Sequence, residues 1–191
     1  MAADVDLGRV LLDDLVERFA GLRRLAERAM AQVGDDDLHR IPAEDLNSID
    51  VIARHQAGNL RSRFTDFLTT DGEKPWRHRD TEFEEAGRSR AALEADWKSG
   101  WAALEGTLAA LQPSDLLATV TVRGEPHTVL GALNRPLAHH GYHVGQIVTT
   151  ARLLVGPAWT SLSVPRGGSV AFNASMGHDV GEEGLRGTAG A

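Results

Sequence analysis

The chain has 191 residues, 42% of them hydrophobic and 25% charged, with a net charge of −7. That length suits a single domain with a real core, and the acidic balance argues against a general nucleic-acid binder, which needs a basic face. No apolar run approaches the roughly 18 residues of a membrane span. The N-terminus "MAADVDLG" lacks the basic and apolar regions of a secretory signal, and cysteine is absent. The cytoplasm is therefore the expected compartment, and thiol chemistry would need a thiol from outside the chain.

In chain order, Leu11, Leu15, Phe19, Leu22, Leu25, Ala29 and Val33 recur at helical spacing, which predicts a helix over 10–33 ended by "GDDD". Asn47 or Ser48 is the expected N-cap of a second helix over 49–68. "TTDGEKPWRHRD" then breaks the pattern at Asp71-Gly72 and Pro75. A third helix is expected over 81–111, with Trp97, Trp101, Leu104, Leu108 and Leu111 as its stripe. Val120 and Val122 alternate with Thr119 and Thr121 before Arg123-Gly124-Glu125, the pattern of a short hairpin. A fourth helix follows over 128–155, with Leu130, Leu133, Leu137, Val144, Ile147, Ala151 and Leu154 apolar. Pro136 inside it is expected to kink or loosen the turn before His139. After Gly156-Pro157 an irregular C-terminal tail is expected. The expected fold is all-α: a four-helix bundle with a long crossover and a short β-hairpin before the last helix. The bundle domain is expected over 1–175, with a disordered tail over 176–191.

The fourth helix carries "LAHHGYHVGQIV", with three of the eight histidines in five positions. His139 and His143 are i and i+4, so they share a helix face and can reach one ion. His140 points about 100° away. Alone, the pair also fits two half-exposed histidines bonded to backbone or water. No H-E-x-x-H or Glu-x-x-His motif occurs, which excludes the zincin and ferritin-like readings. A third ligand must come from another helix, and His55 in "VIARHQAGNLRSRF" is the best placed. A hydrogen-bonded core histidine fits the same position. His39, His78, His127 and His178 fall in expected loops, the hairpin or the tail and are read as surface residues.

These segments together resemble the DinB-like, or YfiT-like, superfamily, which includes metal-dependent hydrolases and bacillithiol transferases. The resemblance rests on "HHGYHVGQIV", whose last histidine precedes x-Gly-Gln and follows another by four residues, and on His55 in the second helix. "NSIDVIARHQAGNLRSRFTDFLTTDGEKPWRHRDTEFE" and "WTSLSVPRGGS" resemble a branch described as a domain of unknown function. The likeness covers roughly residues 10–173. It implies a four-helix bundle, a homodimer, and a divalent metal on His55, His139 and His143. It also implies chemistry with an external low-molecular-weight thiol such as bacillithiol, mycothiol or glutathione. Pro136 departs from the pattern expected in this helix.

Three histidines with an open position are the layout of a catalytic rather than a structural metal site. Such a metal lowers the pKa of a bound water or thiol. Zinc is the first expectation, with nickel, iron or manganese as alternatives on a histidine set. Asn59, Arg63 and Gln146 are the candidate supporting or substrate-binding residues, each with ordinary packing or a surface ion pair as the competing reading. "KPWRHRDTEFE" reads as a solvated loop with Arg77 and Arg79 paired to Asp80 and Glu82, or as a lid closing through Trp76. No carboxylate stands on the histidine-bearing faces as a general base. This favours a thiol S-transferase acting on small electrophiles, in detoxification or stress, over a hydrolase on the same site. A metal-containing stress or binding protein without catalysis is the third reading. No nucleic-acid or membrane partner is expected.

Overall fold

The computed structural model describes residues 6–178. It is mainly helical, with five α-helices and one two-stranded antiparallel sheet among those residues. The helices are α1 (Leu7–Met30), α2 (Ile49–Phe64), α3 (Arg90–Ala110), α4 (Val129–Val155) and α5 (Ser169–Ser175). Strands β1 (Thr119–Val122) and β2 (Glu125–Thr128) form the hairpin before α4. The chain divides into two compact units, 1–157 and 158–191. No helix among the described residues is long and apolar enough to cross a membrane.

Side-chain caps start the four long helices. Asp6, Ser48, Ser89 and Thr128 accept from the backbone N–H of Arg9, Val51, Ala92 and Gly131, satisfying donors that a helix start leaves open. Helix α2 stops at Phe64, four residues before the expected end. Thr65 turns extended and Asp66 takes φ 49°, while Thr107 Oγ1 donates to the Phe64 carbonyl at 2.9 Å. Helix α3 begins at Arg90 instead of Thr81. Residues 79–83 form a separate 3-10 turn, and Gly87 at φ 55° sets off the Ser89 cap.

Helix α2 is the centre of the first unit. It packs against α3, α4 and the 79–83 turn, and all its residues but Arg54, Arg61 and Arg63 are buried. Small side chains make this approach possible. A Cβ on Gly100 of α3 would lie 2.7 Å from the Ala57 Cα and 2.8 Å from its carbonyl oxygen. The other helix pairs are α1 with α4 and α1 with α3. In α4 the buried stripe runs Leu133, Pro136, His140, Val144, Ile147 and Ala151, steps of three and four that continue through the proline. His140 therefore occupies a core position. Pro136 lacks the N–H that would bond to the Ala132 carbonyl, and the helix carries on past it.

In the hairpin Val120 and Val122 face inward, as their alternation predicts. Thr119 pairs with Thr128 and Val122 with Glu125. The two-residue turn places Arg123 at φ 58° and Gly124 at φ 75°, both left-handed as a type I′ turn requires. The second unit is less irregular than expected, since Ser169–Ser175 is helical. Its end is closed by Gly177 at φ 73°, with Gly177 N–H donating to Ala174 O and His178 N–H to Asn173 O, the double bond of a Schellman cap. Most of the expected disordered tail lies outside the described residues.

Gly100→Ala tests the α2–α3 approach. Its methyl meets backbone rather than a movable side chain, so a loss of about 1–3 kcal/mol is expected. That is a fall of roughly 2–4 °C in melting temperature per kcal/mol for a chain of this size. An unchanged thermal melt by circular dichroism contradicts the close packing.

Candidate metal centre

His55 from the middle of α2 and His139 and His143 from α4 meet in space. One nitrogen from each lies within 4.8 Å of the others, and among the described residues this is the group able to hold a metal ion. The Nε2 atoms of His55 and His139 are 3.3 Å apart, and those of His143 and His139 are 3.1 Å apart. Zinc–nitrogen bonds of about 2.0–2.1 Å in tetrahedral array place ligand nitrogens about 3.3–3.4 Å apart. The spacing therefore needs little adjustment to hold an ion.

The far side of each ring explains which nitrogen points inward. His55 Nδ1 lies 2.9 Å from Glu82 Oε2 and donates to that carboxylate. His143 Nδ1 lies 2.7 Å from Gln146 Oε1, and Gln146 Nε2 donates to the Tyr142 hydroxyl at 3.1 Å, which orients the amide. A neutral imidazole carries one proton, so the Nε2 atoms of His55 and His143 both present lone pairs to His139. His139 can supply at most one proton between them, and its Nδ1 is buried without a partner. The cluster is thus rich in lone pairs and short of protons, the condition that a cation satisfies. Burial and the neighbouring His143 and His55 push the His139 imidazole down to about 4. Burial also lowers His143, against the Gln146 hydrogen bond, with His55 adding to the fall. At neutral pH both remain available as donors.

Glu82 is the residue that sequence reasoning missed. In the sequence it is one acid in a charge run that fits a solvated loop. It is buried instead, and so is Arg77, whose Nε and Nη2 each reach the carboxylate at 2.8 Å. Burial opposes the charge on Glu82, but hydrogen bonds from His55 and Arg77 outweigh it and hold the carboxyl below its ordinary range. The expected Arg77–Glu82 pairing exists, but as an internal strut. The lid through Trp76 is not formed, because that ring is exposed. The 79–83 turn also lays Phe83 against His55, with ring centroids 4.7 Å apart, and Arg79 over Phe83 at 4.8 Å. Gly58 gives the strut its room, since a Cβ there would fall within the Glu82 carboxylate.

A cavity of about 220 Å³ opens beside the histidines. Its lining includes His55, His139, Asn59 and Arg63, so two of the three expected supporting residues face the same space. Gln146, the third, touches His143. The lining also includes His127, whose Nε2 is buried without a partner, so this histidine is not a plain surface residue. Arg77, Arg79, Arg123 and Arg135 complete the charged part of the wall. Arg135 could have been anticipated, because it lies one turn before His139. Arg77, Arg79, Arg123 and His127 come from loops and the hairpin, where no periodicity marks a direction. His140 stays out of the cluster, as its helical phase predicts. It is fully buried, lowered well below its ordinary pKa by burial, and bonded through Nδ1 to Gln56 Oε1 at 2.8 Å. His39 stands near the buried Asp50, at 3.7 Å. His78 and His178 are exposed.

A family model described as "Protein of unknown function (DUF1572)" matches residues 6–168. The chain belongs to this family. No curated protein and no solved structure matches it. The matched span covers α1 to α4, the hairpin and all three clustered histidines of this DUF1572 chain.

Two sets of variants test the centre. His55→Ala is expected to abolish stoichiometric metal in elemental analysis and to lower the melting temperature of metal-loaded protein, because a bound ion stabilises the folded state. Unchanged metal content rules out the three-histidine site. Glu82→Gln and Gly58→Ala leave every ligand in place but disturb the support of His55. Each is expected to weaken zinc binding by about 10–100-fold, and an unaltered dissociation constant in both means that the strut does not tune the centre.

Proposed function

We propose that this protein is a metal-dependent enzyme that transfers a low-molecular-weight thiol to a small electrophile. We further propose that its four long helices form a four-helix bundle of the DinB-like kind. The observation that carries the reading is the convergence of three imidazoles beside a cavity whose lining has no carboxylate. His55, His139 and His143 would hold the ion, zinc being the first expectation. When bound, a divalent metal supplies Lewis acidity that lowers the pKa of a thiol or water bound to it.

The chain's own residues have distinct tasks. Glu82 keeps a proton on His55 Nδ1, and Gln146 keeps one on His143 Nδ1, so both rings present Nε2. Arg77 neutralises Glu82 and commits both its oxygens. Glu82 is therefore unsuited to act as the base that a hydrolase would use on water, which supports thiol transfer over hydrolysis. The transfer forms an S–C bond and breaks the bond between carbon and the leaving group, with the thiol proton passing to solvent. No cysteine of the chain competes for the electrophile.

The test is zinc- or nickel-loaded protein with monochlorobimane and bacillithiol, mycothiol or glutathione in turn. Thiol-dependent formation of the fluorescent conjugate, lost in His55→Ala, is the expected result. Hydrolysis of a generic ester or amide without thiol turnover replaces this reading with a hydrolase, and inertness in both assays replaces it with a non-catalytic metal protein.

A further inference from the structure

The cavity beside the histidines concentrates cationic charge in an acidic protein. Five arginines, Arg63, Arg77, Arg79, Arg123 and Arg135, line about 220 Å³, and no aspartate or glutamate lines it with them. Their counter-charges are too few. Glu73 serves both Arg63, at 3.3 Å, and Arg123, at 2.9 Å. Glu82 is shared between Arg77 and His55. Among the described residues Arg79 has only Asp80 as an ion partner, at 3.6 Å and fully exposed. Arg135 has no ion pair among the described residues.

Several donors are left over where water is scarce. Among the described residues Arg63 Nη1 and Arg77 Nη1 are both buried with no partner, as is His127 Nε2. The Arg77 side chain is only 2% exposed, so its spare N–H groups cannot simply turn to solvent. A buried donor without an acceptor costs free energy, and a guanidinium fork is shaped to meet a carboxylate or phosphate. Burial, with Arg77 and Arg123 nearby, lowers Arg63 despite Glu73. One further sign is conformational. Arg123 holds a left-handed φ of 58° at a turn position that Asn or Gly fills without strain. Asp71 fixes it there by accepting from the Arg123 and Gly124 N–H groups at 2.8 and 2.7 Å. Strain retained by a long cationic side chain at a cavity rim points to use of that side chain.

We infer that the substrate or cosubstrate of this site carries an anionic oxygen group, a carboxylate or a phosphate, that docks on the arginines beside the metal centre. The inference rests on the site proposed above and narrows its ligand class. Arg63, two turns after His55 on α2, and Arg135, one turn before His139 on α4, hold the anion from the two helices that carry the histidines. The field of five guanidiniums in a concave wall also draws anions inward.

The test is calorimetric titration of the full chain with inorganic phosphate and, separately, with succinate, each on zinc-loaded and on metal-stripped protein. At least one anion is expected to bind saturably, and the tighter of the two identifies the group. Arg63→Gln and Arg135→Gln are each expected to weaken it about tenfold or more, with zinc content unchanged. Arg135 is exposed, so its variant folds whatever becomes of the other. Saturable binding that persists without zinc supports the anion site even if no turnover is ever found. Absence of saturable binding for both anions, or binding equal to wild type in both variants, overturns it.

Discussion

A carboxylate taken out of water must be paid with hydrogen bonds and opposite charge, and Glu82 imposes that requirement on its surroundings. It receives two bonds from Arg77 and one from His55. To meet them, residues 74–83 must fold back against α2, and α2 must offer Gly58 at the contact. The His55 ring is then oriented, and its Nε2 faces α4. Helix α4 supplies His139 and His143 at a spacing that needs no further device. One buried acid thus links a loop, the central helix and the metal-capable cluster.

The same helix shows why two neighbouring histidines have different fates. The core stripe of α4 passes through His140, which bonds through Nδ1 to Gln56 and packs near Trp101. His139 and His143 lie off that stripe, and His139 lines the cavity. The proline one turn earlier belongs to the stripe and also lines the cavity, so it shapes the wall without ending the helix.

Regular periodicity made much of this legible in the sequence. The helical stripe of α3, the Ser48 cap, the alternating hairpin and the phase of the three histidines are all local patterns found in the fold. The α4 stripe holds at Leu133, Val144, Ile147 and Ala151 but takes in Pro136 and His140, where Leu130, Leu137 and Leu154 are only half-buried. What lay beyond reach was decided by tertiary partners. The end of α2 depends on a Thr107 bond to Phe64. Thr81–Phe83 leaves the expected helix for a 3-10 turn that brings Glu82 to His55. A charge run looks the same whether it faces water or an internal partner, so Glu82 and Arg77 were indistinguishable from their exposed neighbours. The arginines of the cavity wall come from two helices, a loop and a hairpin turn, and only the fold brings them to one wall.

Arg77 has a place in both halves of this arrangement. Two of its nitrogens hold Glu82, while the third is buried without a partner, and the side chain lines the cavity. A group shared by two sites makes them thermodynamically linked. An anion that drew on this guanidinium, as proposed, would change how firmly Glu82 is neutralised and so how firmly it holds the His55 ring. By reciprocity, an ion on His55 would alter the hold on that anion by the same factor. If both sites are occupied as proposed, the strut that orients the histidine would also be the element through which occupancy of one is felt at the other.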